Sequence, residues 1–120
     1  MIYYINAVPK PRMTQRDKWA KRLCVMRYFS FKDACSLHRV MIPASGAHVI
    51  FWIQMPVSWS KKKKAEMQGK PHLNKPDIDN LIKALLDAVY ETDSIVWDIR
   101  ATKYWSEFGM VEITIKDKEE

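Results

Sequence analysis

The stretch KPDIDNLIKALLD, residues 75–87, sets Asp77, Asp79 and Asp87 beside Asn80 and Lys83 within a run that otherwise has the pattern of an amphipathic helix. Carboxylates two residues apart, with a lysine one helical turn on, can take a hard divalent cation and stabilise charge on a phosphoryl oxygen. The same residues also have an ordinary structural use. Asp77, just after Pro76, suits a helix N-cap, where the macrodipole favours its charge. Asp79, Lys83 and Asp87 follow one another at i, i+4 and i+8, so two exposed ion pairs would add roughly a few tenths of a kcal/mol each. Local spacing leaves both accounts open.

Geometry states what the chemistry would require. Inside a helix, residues two apart point roughly 200° from each other, so Asp77 and Asp79 can share a metal only if Asp77 lies in extended backbone ahead of the first turn. The preceding Lys75-Pro76 favours that extended approach. A third carboxylate would come from the turn after the helix, where Asp93 leads into a strand. Oxygen ligands of this kind suit Mg²⁺ or Mn²⁺, which polarises the scissile phosphate and activates water. Lys83, one turn beyond Asp79, would stabilise the charge that builds on the phosphoryl oxygens.

These residues need a scaffold. Ile78, Leu81, Ile82, Leu85 and Val89 fall at i, i+3, i+4, i+7 and i+11, which predicts a helix over 77–90 with one apolar stripe. AHVIFWIQMP, 47–56, is short and continuously apolar, the pattern of a central strand covered on both faces. Met1–Ala7 has the alternation and β-branched or aromatic content of a first strand. RYFSFKDACSLHRV, 27–40, has helical apolar spacing, and 58–70 reads as a short exposed helix or loop starting at Ser58 or Ser60 and ending at Gly69. Residues 95–105 and 110–116 read as two strands joined as a hairpin across Ser106-Glu107-Phe108-Gly109. The expected fold is α+β: a single domain over 1–120, with helices packed on a mixed sheet of about four strands.

Charge narrows the partners. The chain is net +6 over 120 residues. Residues 1–75 hold fifteen Lys/Arg against three Asp/Glu, a balance of +12, whereas 76–120 hold five against eleven, a balance of −6. A basic half favours a polyanion, because each neutralised phosphate releases counterions. The loop 8–19 carries two prolines and no apolar periodicity, so Lys10, Arg12, Arg16 and Lys18 are candidate phosphate contacts. Lys61, Lys62, Lys63 and Lys64 are either a solvated surface or a second phosphate strip, which Lys70 and Lys75 would extend.

Trp52 is expected in the core; Trp19 and Trp59 are expected as core residues or loop anchors, with stacking on bases as the alternative. His38, His48 and His72 have no zinc spacing, and only His72, between the lysines and the acids, draws notice. Ser58, Ser60 and Cys35 show no base partner for covalent catalysis. No apolar run approaches the roughly 20 residues of a membrane span. MIYYINAV lacks the basic leader of a signal peptide. A cytoplasmic protein with two reduced thiols, Cys24 and Cys35, is expected.

KPDIDNLIKALLDAV followed by TDSIV resembles the signature of the RusA-type Holliday junction resolvases of phages and prophages. MPVSWSKKKKAEMQGKPH and KPRMTQRDKW are similar to the phage-encoded branch of that family, so the resemblance covers most of the chain. It implies a homodimeric, Mg²⁺-dependent endonuclease, with Mn²⁺ substituting, that nicks opposed strands of a four-way DNA junction in a bacterial cytoplasm. No membrane and no small-molecule cofactor would be involved. By that resemblance Asp77, Asp79 and Asp93 match the metal-site acids and Lys83 the catalytic lysine. Family members often have adjacent acids at the later position; here Thr92 precedes Asp93, with Glu91 as the nearby alternative. Two other readings stand beside it: a non-catalytic branched-DNA-binding protein, and a nuclease for forks or flaps.

Overall fold

In a computed structural model of the chain, which describes residues 1–12 and 23–115, the most apolar run lies inside the sheet. This is β2 (Ala47–Gln54), flanked by β3 (Ile99–Ser106) and β4 (Met110–Ile115), with the short β1 (Ile2–Tyr3) beyond β4. The order β1-β4-β2-β3 is mixed: β2 runs parallel to β3 and antiparallel to β4, and β1 is antiparallel to β4. Among the described residues, three helices complete a single α+β domain: α1 (Leu23–Leu37), α2 (Lys61–Met67) and α3 (Ile78–Val89).

Side-chain alternation along β2 sorts the sheet into two unlike faces. Ala47, Val49 and Phe51 are buried and share one cluster with Val111 and Ile113 of β4, Tyr28, Phe31 and Cys35 of α1, and Leu81, Ala84 and Leu85 of α3. His48, Ile50 and Trp52, on the other face, are half-buried. There His48 bonds Thr102 at 2.9 Å, and the Trp52 indole donates to Glu112 at 3.0 Å beside the Tyr104 ring. The expectation of a strand enclosed on both faces, with Trp52 in the core, is therefore corrected. Helices back one face, and the parity of Trp52 puts it on the other.

The expected hairpin between β3 and β4 is also corrected. β2 lies between them, so the 107–109 connection passes across the end where β2 leaves the sheet. Their antiparallel directions suit a hairpin, but the more apolar β2 takes the central position between them. At Gly109 in this connection a Cβ would meet the Asn6 side-chain amide, which would have to turn aside.

Other boundaries shift for identifiable reasons. α1 starts before Arg27 and stops at Leu37, not Val40. Val40 N–H bonds the Cys35 carbonyl at 3.0 Å and Arg39 N–H that of Ser36 at 3.1 Å, with Arg39 at φ 54°. This is a Schellman stop, in which the buried Val40 is the apolar residue beyond the cap rather than a helical one. β1 keeps two of the seven expected residues. β3 starts at Ile99, because Asp93–Ile95 forms a 3₁₀ turn.

Candidate active site

α3 is placed by its apolar stripe and leaves its polar face exposed. Leu81, Ala84 and Leu85 are fully buried, while Asp79, Asn80 and Lys83 are exposed. Asp77 stands at the N-cap in extended backbone, φ −72° and ψ 149°, and its side chain makes no capping hydrogen bond. The position is a cap, but the carboxylate is not used as one. Neither the Asp77 nor the Asp79 carboxylate has a hydrogen-bond or ion-pair partner among the described residues.

Lys83 does not pair with Asp79, as its spacing suggests it would. Its ammonium lies 3.0 Å from Asp93 and 3.6 Å from Asp87. The hydrogen bond it donates to Asp93, with the charges of Asp87 and Asp93, raises the Lys83 pKa, so the cation persists at neutral pH. Asp87 in turn holds Lys10 at 2.5 Å and accepts from the Tyr28 hydroxyl at 3.5 Å. Burial raises the Asp87 pKa, but the bonds and charges of Lys10 and Lys83 outweigh it and hold the carboxyl below its usual value. The result is a line of alternating charge, Lys10–Asp87–Lys83–Asp93, along one side of α3. Lys10 N–H also bonds the Asn80 carbonyl at 3.2 Å, so the start of the basic loop lies along this helix.

The structure thus brings Lys83 to Asp93, and gathers no group of three or more His, Cys, Asp or Glu side chains into a metal-holding cluster among the described residues. The donor chemistry nonetheless fits a hard divalent cation: two unpartnered aspartates open to solvent, and a third, Asp93, held by one ammonium.

The basic candidates fall in several places. Lys61, Lys62 and Lys63 are exposed on α2, whose N-cap Ser60 accepts from Lys63 N–H at 3.1 Å. Lys63 also sets its ammonium 4.2 Å over the Trp59 ring, which packs on Trp105 at 4.8 Å, so Trp59 is a loop anchor. Lys61 and Lys64 line a groove of about 380 Å³ with Gln68 and Glu107. Lys70 and Lys75 are exposed on the segment leading to α3, and Arg12 is exposed at the end of the first described stretch. Arg16, Lys18 and Trp19 lie outside the described residues. Both cysteines are free, and burial pushes the Cys35 thiol up to about 11, far from a nucleophile.

The family model described as Endodeoxyribonuclease RusA matches residues 9–116. This chain belongs to the RusA endodeoxyribonuclease family. A Bacillus subtilis (strain 168) protein, YqaN, described as uncharacterised, is also similar, with 39% identity over 64 residues. That match takes in 50% of this chain and 45% of YqaN, so the chain spans less than half the length of this relative. No described helix in this RusA-family chain is long and apolar enough to cross a membrane.

Two residues near the site carry structural roles that periodicity did not assign. Lys103 of β3 donates to the carbonyls of Asn74 and Pro76 at 2.7 and 2.8 Å. The available signal was a lysine at inward parity, between Ala101 and Trp105. His72 is only 2% exposed; its ring stands edge-on to Trp105 at 4.3 Å, and its Nδ1 has no partner. Burial, then the charge of Lys103, lowers its pKa from 6.5. The unfolded chain therefore binds this proton first, and stability falls as pH drops below 6.5 toward the folded value. Melting temperatures measured across that range should show the fall in the natural chain and a shallower one in His72→Leu. Equal slopes would mean that His72 is not buried neutral.

Proposed function

We propose that this chain is a Mg²⁺-dependent, structure-selective endodeoxyribonuclease that resolves four-way junctions by paired symmetric nicks. Asp77, Asp79, Lys83 and Asp93 form its site. The observation that carries the reading is Asp77 itself. It occupies the cap position in extended backbone without using its carboxylate as a cap, the conformation that lets both acids of a D-x-D pair lean toward one point. Membership of the RusA family supports the reaction class.

In this reading Asp77, Asp79 and Asp93 hold Mg²⁺ or Mn²⁺, which when bound supplies a polarised phosphate and an activated water. Lys83 keeps its proton throughout and is set to neutralise charge on the phosphoryl oxygens, while its bond to Asp93 orients that carboxylate. Asp87 draws Lys83 and Lys10 together and limits where the ammonium of Lys83 can go. The basic residues of the first half grip the phosphate backbone, so binding is salt-sensitive. A two-fold homodimer would present two identical sites to the paired strands of a junction. The work belongs to recombination, repair or phage DNA processing in a bacterial cytoplasm.

A second reading, a non-catalytic branched-DNA-binding protein, is favoured by one observation: the three acids do not converge into a ready cluster. The test is to incubate the protein with a mobile four-way junction, a fork, a flap and a linear duplex, with and without Mg²⁺. Paired nicks in the junction, dependent on Mg²⁺, are expected. Salt-sensitive binding without nicking would establish the second reading, and cutting confined to forks or flaps would change the substrate.

A further inference from the structure

The segment that delivers Asp77 to the start of α3 is built onto the edge of β3. Gly69 N–H bonds the Trp105 carbonyl at 2.9 Å, Trp105 N–H that of Lys70 at 2.9 Å, and His72 N–H that of Lys103 at 3.1 Å. An antiparallel bridge joins Pro71 to Tyr104. This backbone pairing stops at His72, five residues before Asp77, and a side chain takes over. The Lys103 ammonium donates to the carbonyls of Asn74 and Pro76, on either side of Lys75 and directly ahead of Asp77.

The placement of Lys103 is unusual for its type. Its parity along β3 is that of Ile99, Ala101 and Trp105, and its strand partner is the fully buried Phe51. A lysine there must carry its head out along its own stem to reach acceptors. It has no carboxylate partner among the described residues; both of its bonds go to main-chain carbonyls of one loop. Two carbonyls aimed at one cation fix the direction in which the chain approaches the helix. That direction decides where the Asp77 carboxylate stands relative to Asp79.

We propose that Lys103 is the positioning residue of the D-x-D pair, bracing residues 74–76 so that Asp77 is held outside the first turn of α3 in register with Asp79. It acts through the loop and does not touch DNA or the reacting phosphate. The inference rests on the assignment of Asp77 and Asp79 to phosphodiester hydrolysis.

The experiment compares Lys103→Met and Lys103→Arg with the natural chain. Four quantities are read: the single-turnover rate on a saturated junction, junction affinity in EDTA, Mn²⁺ affinity of the DNA-free protein by electron paramagnetic resonance, and amide exchange of residues 73–79. Lys103→Met should cut about 10- to 100-fold more slowly, the usual loss when a group that orients a ligand is removed. It should also bind Mn²⁺ more weakly and exchange faster at 73–79, with junction affinity unchanged. Lys103→Arg, which can still reach two carbonyls, should recover most of the rate. Lys103→Gln replaces Lys103→Met if the latter does not fold. A wild-type rate in the variant overturns the proposal, as does a defect confined to junction affinity, which would make Lys103 a phosphate contact. If the natural chain cuts no branched DNA, the nuclease reading has failed. Exchange then still decides the brace: faster exchange at 73–79 in the variant supports it, and unchanged exchange overturns it.

Discussion

In the proposed reading, Asp79→Asn is expected to abolish Mg²⁺-dependent cleavage of a four-way junction and to leave junction binding in EDTA at or slightly above the natural level. The substitution is nearly isosteric and lies on the exposed first turn of α3, where Asp79 makes no side-chain bond to the rest of the described chain, so folding is untouched. What it removes is one anionic oxygen donor. A hard divalent cation depends on such donors, and the transition-state charge it offsets is worth several kcal/mol. At about 1.4 kcal/mol per tenfold, the rate should fall by about 10³-fold or more. Binding should not fall, because the proposed grip is by Lys and Arg side chains elsewhere, and losing a surface negative charge reduces repulsion of phosphate. Gel-shift titration and single-turnover cleavage on one junction preparation measure both. A variant that cuts at the natural rate would remove Asp79 from the site.

Leu85→Ala has the largest expected effect on stability. Leu85 is 0% exposed, one turn beyond the equally buried Leu81, within the cluster that joins α3 to α1 and the sheet. Truncation removes buried methyl groups and leaves a cavity whose rigid neighbours close it only partly, at a cost of about 2–5 kcal/mol. Set against the roughly 5–15 kcal/mol that holds a domain of this size, that is a large fraction. The midpoint of urea unfolding should fall accordingly with an unchanged slope. Cleavage should fail at temperatures where the natural chain still works, because α3 carries the D-x-D pair and Lys83 on its other face. A loss below about 1 kcal/mol would mean that the core around α3 repacks freely, contrary to the close packing of interiors.

Much of the fold and of the candidate site is legible in the order of residues. The apolar residues of α3 recur at helical spacing, and Pro76-Asp77 marks its start, so the helix and the extended aspartate before it follow from local chemistry. β2 stands out as a short apolar run, and the start of α2 narrows to Ser58 or Ser60, of which Ser60 is the cap. The departures have a common origin. Neighbouring strands with opposite directions and a short link usually pair, which predicts a hairpin of β3 and β4, yet β2, arriving from far back in the chain, takes the place between them. A continuous apolar run hides which face each residue takes, so it places Trp52 in the core; only the partner strands reveal that the even-numbered side is half-exposed. Helix spacing pairs Lys83 with Asp79, while the turn at Asp93 supplies a closer partner.

Residue types and periodicity by themselves determined that this chain folds as an α+β domain, where its chemistry-bearing helix lies, and that aspartates and a lysine share that helix's exposed face. Those features depend on interactions within about one helical turn or one strand repeat, which the order of residues states directly. Tertiary structure alone decided the partners: Lys83 with Asp93, Asp87 with Lys10, Lys103 with the carbonyls before Asp77, and His72 buried against Trp105. The longer-range contacts among these join residues 27 to 77 positions apart or depend on a loop lying against a strand edge. They exist only once strand order and register have been set, and the free energy that sets them is shared among the core residues of β2, β4, α1 and α3 rather than written at the site.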